Sequence, residues 1–340
     1  MNRKSFLPLL FIGASLVLAD CSLPRLQIKE ATQTPTAAAP TDTAPPPPPT
    51  AELGLAENPL ILALPPSAAS QAQIDAAKVI ASQFTERTGY VVVTVTSDSH
   101  TALVDALEKG NAHIVLLEPY AYELAYQKGL VKATYAVVKD GISTYGAQFI
   151  ATRKAGFTSF FNPLNETNTL NDAGIALAQF NDKKPCWSDE TSASGYVIPL
   201  GYLNSNQVIT KPAAFVEGHP SVVRALYASG ICDFGATYID ARKFPSLEDE
   251  FPDLIEQVIV IWRIPQIIPY HVLAFSTNMP QPMRDLFANT IPAILQTDHG
   301  KAAFKTSYDI EELEPVNDAF YNEFRRYVEE SGVDPPALVK

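Results

Sequence analysis

The residues best suited to chemistry lie in a hydroxyl-rich stretch, Trp187-Ser188-Asp189-Glu190-Thr191-Ser192-Ala193-Ser194-Gly195-Tyr196. It leads into an apolar run with helical spacing, Val197, Ile198, Leu200 and Leu203. The start of a helix leaves main-chain N–H groups without partners and carries the positive end of the helix dipole. Hydroxyl groups beside those donors would complete a site for a small anion. The same pattern also fits an ordinary Ser/Thr helix cap.

Hydrolytic chemistry is poorly supported by the rest of the chain. No G-x-S-x-G turn is present, and neither His100 nor His219 has an adjacent acidic residue in a recognisable triad arrangement. Cys186 and Cys232 lack the close spacing of metal ligands, so we expect neither a metal nor a cofactor. We therefore expect a binding protein, with a tethered hydrolase as the weaker alternative.

The first 21 residues have the layout of an export signal. A basic start, Asn2-Arg3-Lys4, precedes an apolar stretch from Phe6 to Ala19 that is too short for a comfortable membrane span. Leu18-Ala19-Asp20-Cys21 resembles a bacterial lipobox, although Asp20 stands where a small neutral residue is usual. We expect cleavage before Cys21 and its lipidation, which would anchor the exported chain to the cell membrane on its extracytoplasmic side, either periplasmic or on the outer face. A plain signal peptide cut nearby and a retained anchor are the alternatives.

Export also decides how the other two cysteines are interpreted. Cys186 and Cys232 would lie in an oxidising compartment, and they are the only pair left after Cys21. We therefore predict a disulfide between them.

A tether separates this leader from the folded part. Residues 22–57 are rich in Ala, Pro and Thr, with five consecutive prolines from Pro45 to Pro49. Such a composition cannot bury a core and favours an extended, polyproline-like segment.

From Pro59 onwards, short apolar runs alternate with helical patterns. Strands are predicted at 60–64, 90–96 and 113–117, with helices between them, which is typical of a parallel sheet covered on both faces. Such sheets bind ligands at the carboxyl ends of their strands, here Ser97–Thr101 and Glu118–Tyr122. The pattern breaks near 145–152, starts afresh, and breaks again near 262–270. A second α/β unit is therefore predicted between the breaks.

The negative net charge of the chain restricts the kinds of molecule that it can bind. The formal net charge is -12 at pH 7 and no Lys/Arg cluster is present, so we expect no nucleic-acid partner. An anionic ligand would have to be held by local, well-aimed donors, because the overall field of the protein repels it.

Several of these motifs resemble one known family. Asp189 to Tyr196 reads D-x-x-S-x-S-G-Y, and it is preceded by a matching region from His100 to Tyr122. Further matches follow in the same order: Gly218-His219-Pro220-Ser221, Gly230 to Ala236, and Ile268-Pro269. Across roughly residues 59–330 the chain resembles the solute-binding proteins of phosphonate and phosphite importers.

The resemblance implies an α/β, bilobed periplasmic-binding-protein fold of type II, with two crossovers near the two pattern breaks. One lobe would comprise residues 58–147 and 268–335, and the other residues 148–267. The protein would be a monomer that captures a small oxyanion between its lobes and delivers it to the permease of an ABC importer.

The resemblance also implies a set of ligand-binding residues, carried over position by position: Ser192, Ala193, Ser194, Gly195, His219, His100, Tyr122, Glu118, Asp240 and Tyr270. Three departures from the family pattern are Ala193, Glu118 and the Tyr270-His271 pair. Glu118 either points away from the ligand or contacts a donor on it, because two like charges at close range repel strongly. These departures leave open a sulfonate, a pyrimidine or thiamine precursor, or a sensor role.

Overall fold

The structure is a computed structural model, and it describes residues 51–68 and 70–340. The predicted signal segment 1–21, the lipidation site Cys21 and most of the predicted tether lie outside these residues. Within the described part of the chain, no helix combines the length and the apolar character needed to cross a membrane.

The elements alternate along the chain much as the apolar pattern predicts. The strands are β1 Leu60–Leu64, β2 Val92–Thr96, β3 Ile114–Leu117, β4 Val131–Val138, β5 Thr144–Thr152, β6 Phe161–Asn162, β7 Thr167–Asn168, β8 Pro185–Trp187, β9 Ala214–Phe215, β10 Phe234–Tyr238, β11 Val258–Pro269, β12 Val272–Ser276 and β13 Glu312–Pro315. The helices are α1 Gln71–Thr88, α2 His100–Glu108, α3 Pro119–Gln127, α4 Ala173–Leu177, α5 Ile198–Ser205, α6 His219–Ala228, α7 Pro245–Glu250, α8 Leu254–Gln257, α9 Gln281–Leu295, α10 Asp298–Tyr308, α11 Asn322–Ser331 and α12 Pro335–Leu338.

The first lobe is built on a six-stranded sheet in the order β13-β4-β12-β3-β1-β2. Strand β1, next to the edge strand β2, runs parallel to both β2 and β3, and all four residues of β3 are buried. A strand buried on both faces needs a continuous apolar run, which is what the sequence has there. The carboxyl ends of β1 and β3 meet at one edge of this sheet, and α3 begins directly after β3.

The second lobe contains a five-stranded sheet in the order β11-β5-β10-β8-β9. Its strands β8, β9 and β10 are parallel, whereas β5 and β11 run antiparallel to their neighbours. The long strand β11 runs through most of the second predicted break, near residues 262–270. Two register shifts, between Val260 and Trp262 and between Ile264 and Ile268, account for the irregular pattern in the sequence.

Two short links join the lobes at the predicted breaks. The chain leaves β4 for β5 through residues 139–143 and returns from β11 to β12 through Tyr270-His271. The predicted fold class, an α/β bilobed periplasmic-binding-protein architecture, is confirmed.

Helix α11 forms a third connection between the lobes. Its Tyr327 ring stacks on Tyr202 of α5 at 3.8 Å and 12°, and Arg325 pairs with the buried Glu123 of α3 at 2.8 Å. A Cβ atom at Gly201 would overlap the main-chain carbonyl of Tyr327, so the absence of a side chain there permits the close approach. This helix therefore contacts elements of both lobes.

The disulfide prediction is confirmed. Cys186 in β8 is bonded to Cys232, which lies two residues before β10, and their Cα atoms are 5.6 Å apart. Because β8 and β10 are neighbours in the sheet, the bond fastens β8 directly before the 188–195 stretch.

The tether was predicted to extend to residue 57, and this boundary is too late. Gly54 donates its N–H to Asn58 at 2.7 Å and accepts from Val91 at 2.8 Å. The Tyr90 ring packs so closely on Gly54 that a Cβ atom there would lie 2.5 Å from Cδ1 of the ring. Residues 51–57 therefore belong to the folded unit.

Candidate functional site

A cavity of about 430 Å³ lies between the two lobes. The first lobe contributes His100, Glu118 and Tyr120, and the second contributes Thr191 and Ala193. Tyr270 and His271 line it from the second link between the lobes, and Tyr145 lines it from the start of β5. A cleft bounded by both lobes and by the hinge segments suits a small ligand that is enclosed when the lobes close.

The turn at residues 192–195 opens a helix at this cavity. A π-helical turn, Ala193–Val197, runs into α5, and the Ser192 hydroxyl caps it by accepting from the Gly195 N–H at 3.0 Å. Among the residues that the structure describes, the N–H groups of Ala193 and Ser194 have no acceptor. Since Ala193 lines the cavity, its main-chain N–H at the positive end of the helix is available there to an anion, and the Ser194 N–H follows it in the same turn.

The other two helix starts at the cavity are already occupied. The N–H of His100, the first residue of α2, donates to the main-chain oxygen of Lys340 at 2.8 Å. At α3, Glu118 accepts from the N–H groups of Tyr120 at 3.2 Å and Ala121 at 2.9 Å. The 192–195 turn is thus the helix start at which a ligand meets the fewest competing acceptors.

Gly195 is required by the packing around the turn. A Cβ atom at this position would overlap the Ser188 hydroxyl and would lie 2.9 Å from Cε1 of His219. Its N–H is then free to reach the Ser192 hydroxyl. The sequence placed Gly195 correctly beside the helix start, but it could not show which side chains crowd it.

His219 lies beneath the turn and orients it. Burial lowers the pKa of His219 to about 4, so the ring is neutral at pH 7. Its Nδ1 accepts from the Tyr238 N–H at 3.4 Å, which places the ring proton on Nε2, 3.5 Å from the Ser192 hydroxyl. With two donors directed at its oxygen, the Ser192 hydroxyl can turn its own proton towards a ligand.

Ser194 connects the turn to the hinge. Its side chain is 3% exposed and lies beside the Tyr145 hydroxyl. Burial raises the pKa of Tyr145 to about 12, and the interaction with Ser194 opposes that shift. The Tyr145 ring stacks on Tyr270, with ring centres 5.1 Å apart. Tyr270 therefore lines the cavity as part of an aromatic pair with Tyr145, close to where the chain passes between the lobes.

Glu118 faces the cavity while it caps α3. Burial raises the pKa of Glu118 to about 6, although its two hydrogen bonds from main-chain N–H groups favour the ionised form. The carboxylate therefore fills the start of α3 with the protein's own negative charge. An incoming anion would meet repulsion on this side of the cleft at neutral pH.

The elevated pKa of Glu118 predicts a pH-dependent cost to stability. Below pH 4.5 the carboxyl group is protonated in both the folded and the unfolded chain, whereas above pH 6 it is ionised in both and the folded state bears the cost of burying the charge. The unfolding free energy of Glu118→Gln minus that of the wild type is expected to be about 2 kcal/mol larger at pH 8 than at pH 4.5. Urea unfolding at both pH values measures it. Glu329→Gln, at an exposed glutamate, is the control. A constant difference between wild type and Glu118→Gln would contradict the raised pKa.

Two histidines line the cavity on the side of the first lobe. Burial lowers the pKa of His100, and it lowers that of His271 to about 4. The Nδ1 atom of His100 is buried and has no hydrogen-bond partner within the described residues. Both rings are neutral at pH 7, so they can supply N–H donors but no net positive charge.

Of the ten residues carried over from the family, four line the cavity: His100, Glu118, Ala193 and Tyr270. Ser192, Ser194, Gly195 and His219 form or contact the 192–195 turn beside it, whereas Tyr122 and Asp240 are hydrogen-bonded elsewhere.

Tyr122 is 0% exposed, and its hydroxyl donates to Asp318 at 2.7 Å within the first lobe. Tyr120, two positions earlier, lines the cavity instead. The structure does not bring Tyr122 to the cavity, because α3 turns the second tyrosine into the core.

Asp240 is also not among the residues that line the cavity. It accepts from Nε of Arg242 at 2.9 Å and from Nε2 of Gln148 at 2.6 Å, and its side chain is 4% exposed. Burial alone would raise the pKa of Asp240, but the hydrogen bonds and charge of Arg242 outweigh that effect and lower it. The carboxylate is committed to a structural ion pair.

Sequence reasoning missed several residues that line the cavity. Thr191 lies inside the motif, and Tyr145 and His271 flank the predicted crossovers, so the signals for these three were present. Leu338 and Lys340 also line the cavity, and no sequence pattern indicated them. Within the described residues, no group of His, Cys, Asp and Glu could hold a metal ion.

Known proteins are similar to this chain in structure and in sequence. XAC2383 from Xanthomonas citri, solved bound to ATP, superposes with a TM-score of 0.56 at 16% identity, covering 80% of this chain and 95% of that one. PhnD1 from Prochlorococcus marinus, solved with methylphosphonate, gives a TM-score of 0.48 at 14% identity over 80% and 98%. A search of curated proteins gave no match. A family model described as the periplasmic substrate-binding protein of a phosphonate ABC transporter matches residues 62–321. The chain belongs to this family of phosphonate ABC-transporter substrate-binding proteins.

Proposed function

We propose that the protein binds a small oxyanion, namely a phosphonate, phosphite or phosphate ester, between its two lobes and delivers it to an ABC importer without chemical change. The observation that carries this proposal is the 192–195 turn, in which the N–H groups of Ala193 and Ser194 lack acceptors and Ala193 lines the inter-lobe cavity. Family membership supports the same function.

The proposal gives different tasks to the 192–195 turn and to the opposite wall of the cavity. The main-chain donors of the turn and the Ser192 hydroxyl bind the oxyanion, and His219 keeps that hydroxyl oriented. The neutral rings of His100 and His271 offer further donors from the opposite wall. Closure of the lobes would then remove water, which strengthens every hydrogen bond to the anion.

The division into lobes stays a proposal as well. We assign residues 58–147 and 268–335 to one lobe and 148–267 to the other, which the strand content of the two sheets supports. Helix α11 would then belong to the first lobe by sequence while packing on both, so it would move with the hinge.

Export, anchoring and partner are proposed on the sequence and the family. The leader and Cys21 would tether the chain to the extracytoplasmic side of the cell membrane, where a monomer would dock on the permease of its importer. Mass spectrometry of the N-terminus from membranes tests the anchor. A diacylated Cys21 is the expected result, and an unmodified N-terminus downstream of Cys21 would overturn it.

A ligand screen tests the function. We expect methylphosphonate, phosphite or a phosphate ester to raise the melting temperature of the purified protein by several degrees, since a ligand at 1,000 times its Kd stabilises by about 4 kcal/mol. Methanesulfonate and thiamine precursors in the same screen address the alternatives. Stabilisation by those compounds alone would overturn the phosphonate assignment, and turnover of any ligand would revive an enzymatic role.

A substitution at Ala193 tests the donors themselves. Proline lacks an N–H, and it is tolerated at the first position of a helix after an extended residue such as Ser192. We expect Ala193→Pro to fold normally and to bind the anion about tenfold more weakly, because a hydrogen bond to a charged group contributes about 1.5–3 kcal/mol. Isothermal titration calorimetry gives the affinity. Asp298→Pro, at the first position of α10 and away from the cavity, is the matched control; equal affinity in the two variants would contradict the proposal.

A ligand with a flat ring is the second candidate. The stacked Tyr145 and Tyr270 rings line the cavity and could extend their stack onto an aromatic group. A pyrimidine or thiamine precursor, or a signalling molecule presented to a membrane sensor, would use this surface. The screen described above distinguishes these ligands from alkyl phosphonates.

A further inference from the structure

Glu118 places a partly buried carboxylate on the first-lobe wall of the cavity, and no cation neutralises it. Among the described residues, Glu118 forms no ion pair with any Lys, Arg or His. Its oxygens accept only from the main-chain N–H groups of Tyr120 and Ala121, at 3.2 and 2.9 Å. Because a carboxylate can accept about four hydrogen bonds, part of its capacity is left for another donor.

The rest of the first-lobe wall does not supply that donor. Burial lowers the pKa of His100 and His271, which leaves both rings neutral at pH 7. The Tyr120 hydroxyl is buried without a hydrogen-bond partner among the described residues, so it does not donate to Glu118. The main-chain oxygen of Lys340 accepts from the His100 N–H at 2.8 Å. Where Lys340 ends the chain, its terminal carboxylate offsets its ammonium group, so this wall has no net positive charge.

The opposite wall consists of donors. The 192–195 turn offers the main-chain N–H of Ala193 to the cavity, and it is neutral. Tyr145 links the two walls, because its hydroxyl lies beside Ser194 and the charge of Glu118 adds to the effect of burial in raising its pKa. A small ligand in this cavity of about 430 Å³ therefore meets donors on one side and an acceptor on the other.

We propose that Glu118 binds a hydrogen-bond donor carried by the ligand itself, so that the cleft selects oxyanions that also bear an O–H or N–H group. A singly charged phosphonate or phosphate ester that keeps one acidic P–OH has such a donor, and so has an oxyanion with an ammonium group. A simple sulfonate has only acceptors, and two acceptors facing each other in a cleft are both left unpaired. This inference rests on the proposed function, because it assumes that the anionic group lies on the 192–195 turn.

Four ligands test the selection by calorimetric titration at pH 7: methylphosphonate, methanesulfonate, aminoethylphosphonate and taurine. Singly charged methylphosphonate and methanesulfonate share shape and charge and differ by the acidic proton, and the other two repeat this pair with an ammonium group. We expect the wild type to bind methylphosphonate, or taurine, at least about tenfold more tightly than methanesulfonate. A preference for methylphosphonate identifies the P–OH as the donor, whereas a preference for taurine identifies the ammonium group.

The variant Glu118→Gln tests whether this residue makes the selection. An uncharged amide can donate as well as accept, so the wild-type preference should shrink to within about threefold, with methanesulfonate gaining affinity. Glu118→Gln is also expected to be at least as stable as the wild type at neutral pH, so that a loss of selectivity is not a loss of folding. Glu329→Gln, at an exposed glutamate, makes the same change in net charge and should keep the wild-type order of affinities.

The outcomes separate this inference from the proposed function. If the wild type binds phosphonates but prefers neither methylphosphonate nor taurine to methanesulfonate, the inference is overturned and the proposed function stands. The same holds if Glu118→Gln keeps the wild-type preference. If the two phosphonates, phosphite and the phosphate esters all fail to bind, both are overturned.

Discussion

Gly195→Ala is expected to abolish measurable binding of a small anion. The new Cβ atom would overlap the Ser188 hydroxyl and would come within 2.9 Å of both the Ser188 Cβ and the His219 Cε1. Ser188 is 0% exposed, so neither it nor the helix start can move without disturbing the 192–195 turn. Overpacking of this kind costs about 1–3 kcal/mol in stability. A displacement of the turn should weaken binding by at least about 100-fold, since both unpartnered N–H groups lose their aim.

Two further variants test whether steric overlap at position 195 causes the loss of binding. The double variant Ser188→Gly/Gly195→Ala removes both Ser188 atoms that the new methyl group would meet, so it should recover much of the lost affinity and stability. Gly174→Ala, in α4, is the control, because its nearest neighbours would lie 3.2 Å away at two flexible side chains, Asn206 and Asp172. Calorimetric titration and urea unfolding give the two readouts. Wild-type affinity in Gly195→Ala would show that the turn does not bind the ligand.

Much of the fold could be predicted because local patterns agree with the final packing. The apolar runs at β1 and β3 are buried on both faces, and each is followed by a helix with the expected period. The breaks at the crossovers were visible because β5 and β11 depart from the alternation of strand and helix. The cap at Ser192 was readable too, since a hydroxyl, a small residue and a glycine before an apolar run are a local signal.

The remaining part of the site depends on contacts between residues distant in sequence. The rotation of α3 about its axis decides whether Tyr120 or Tyr122 faces the cleft. Because the sequence has a tyrosine at both positions, it does not show which of them does. Asp240 is withdrawn from the site by its pairing with Arg242 and Gln148, the latter 92 positions away. Lys340 reaches the cavity only because the segment 335–340 returns to α2, some 240 positions earlier. Hydrophobic periodicity reflects local structure, so it does not predict contacts between residues that are this far apart in the sequence.

The disulfide is expected to provide a large share of the stability of the second lobe. Cys186 and Cys232 are 46 positions apart, and a loop of that length corresponds to about 4 kcal/mol by the chain-entropy relation. We therefore expect Cys186→Ala/Cys232→Ala to lose about that amount of unfolding free energy. Urea unfolding of the oxidised wild type, the reduced wild type and the double variant measures it.

The same experiment separates stability from binding. Cys186 is 0% exposed in β8, one residue before Trp187 and two before Ser188, so the bond holds the strand that supports the 192–195 turn. The hydrogen bonds of the turn itself do not involve either sulfur atom. At low urea the reduced protein should therefore bind its anion within a fewfold of the oxidised affinity, while its unfolding midpoint falls sharply. Reductant should leave the midpoint of the double variant unchanged. A midpoint equally insensitive in the wild type would show that the bond contributes little, and β-sheet pairing of β8 with β10 would then have to supply the stability assigned to it.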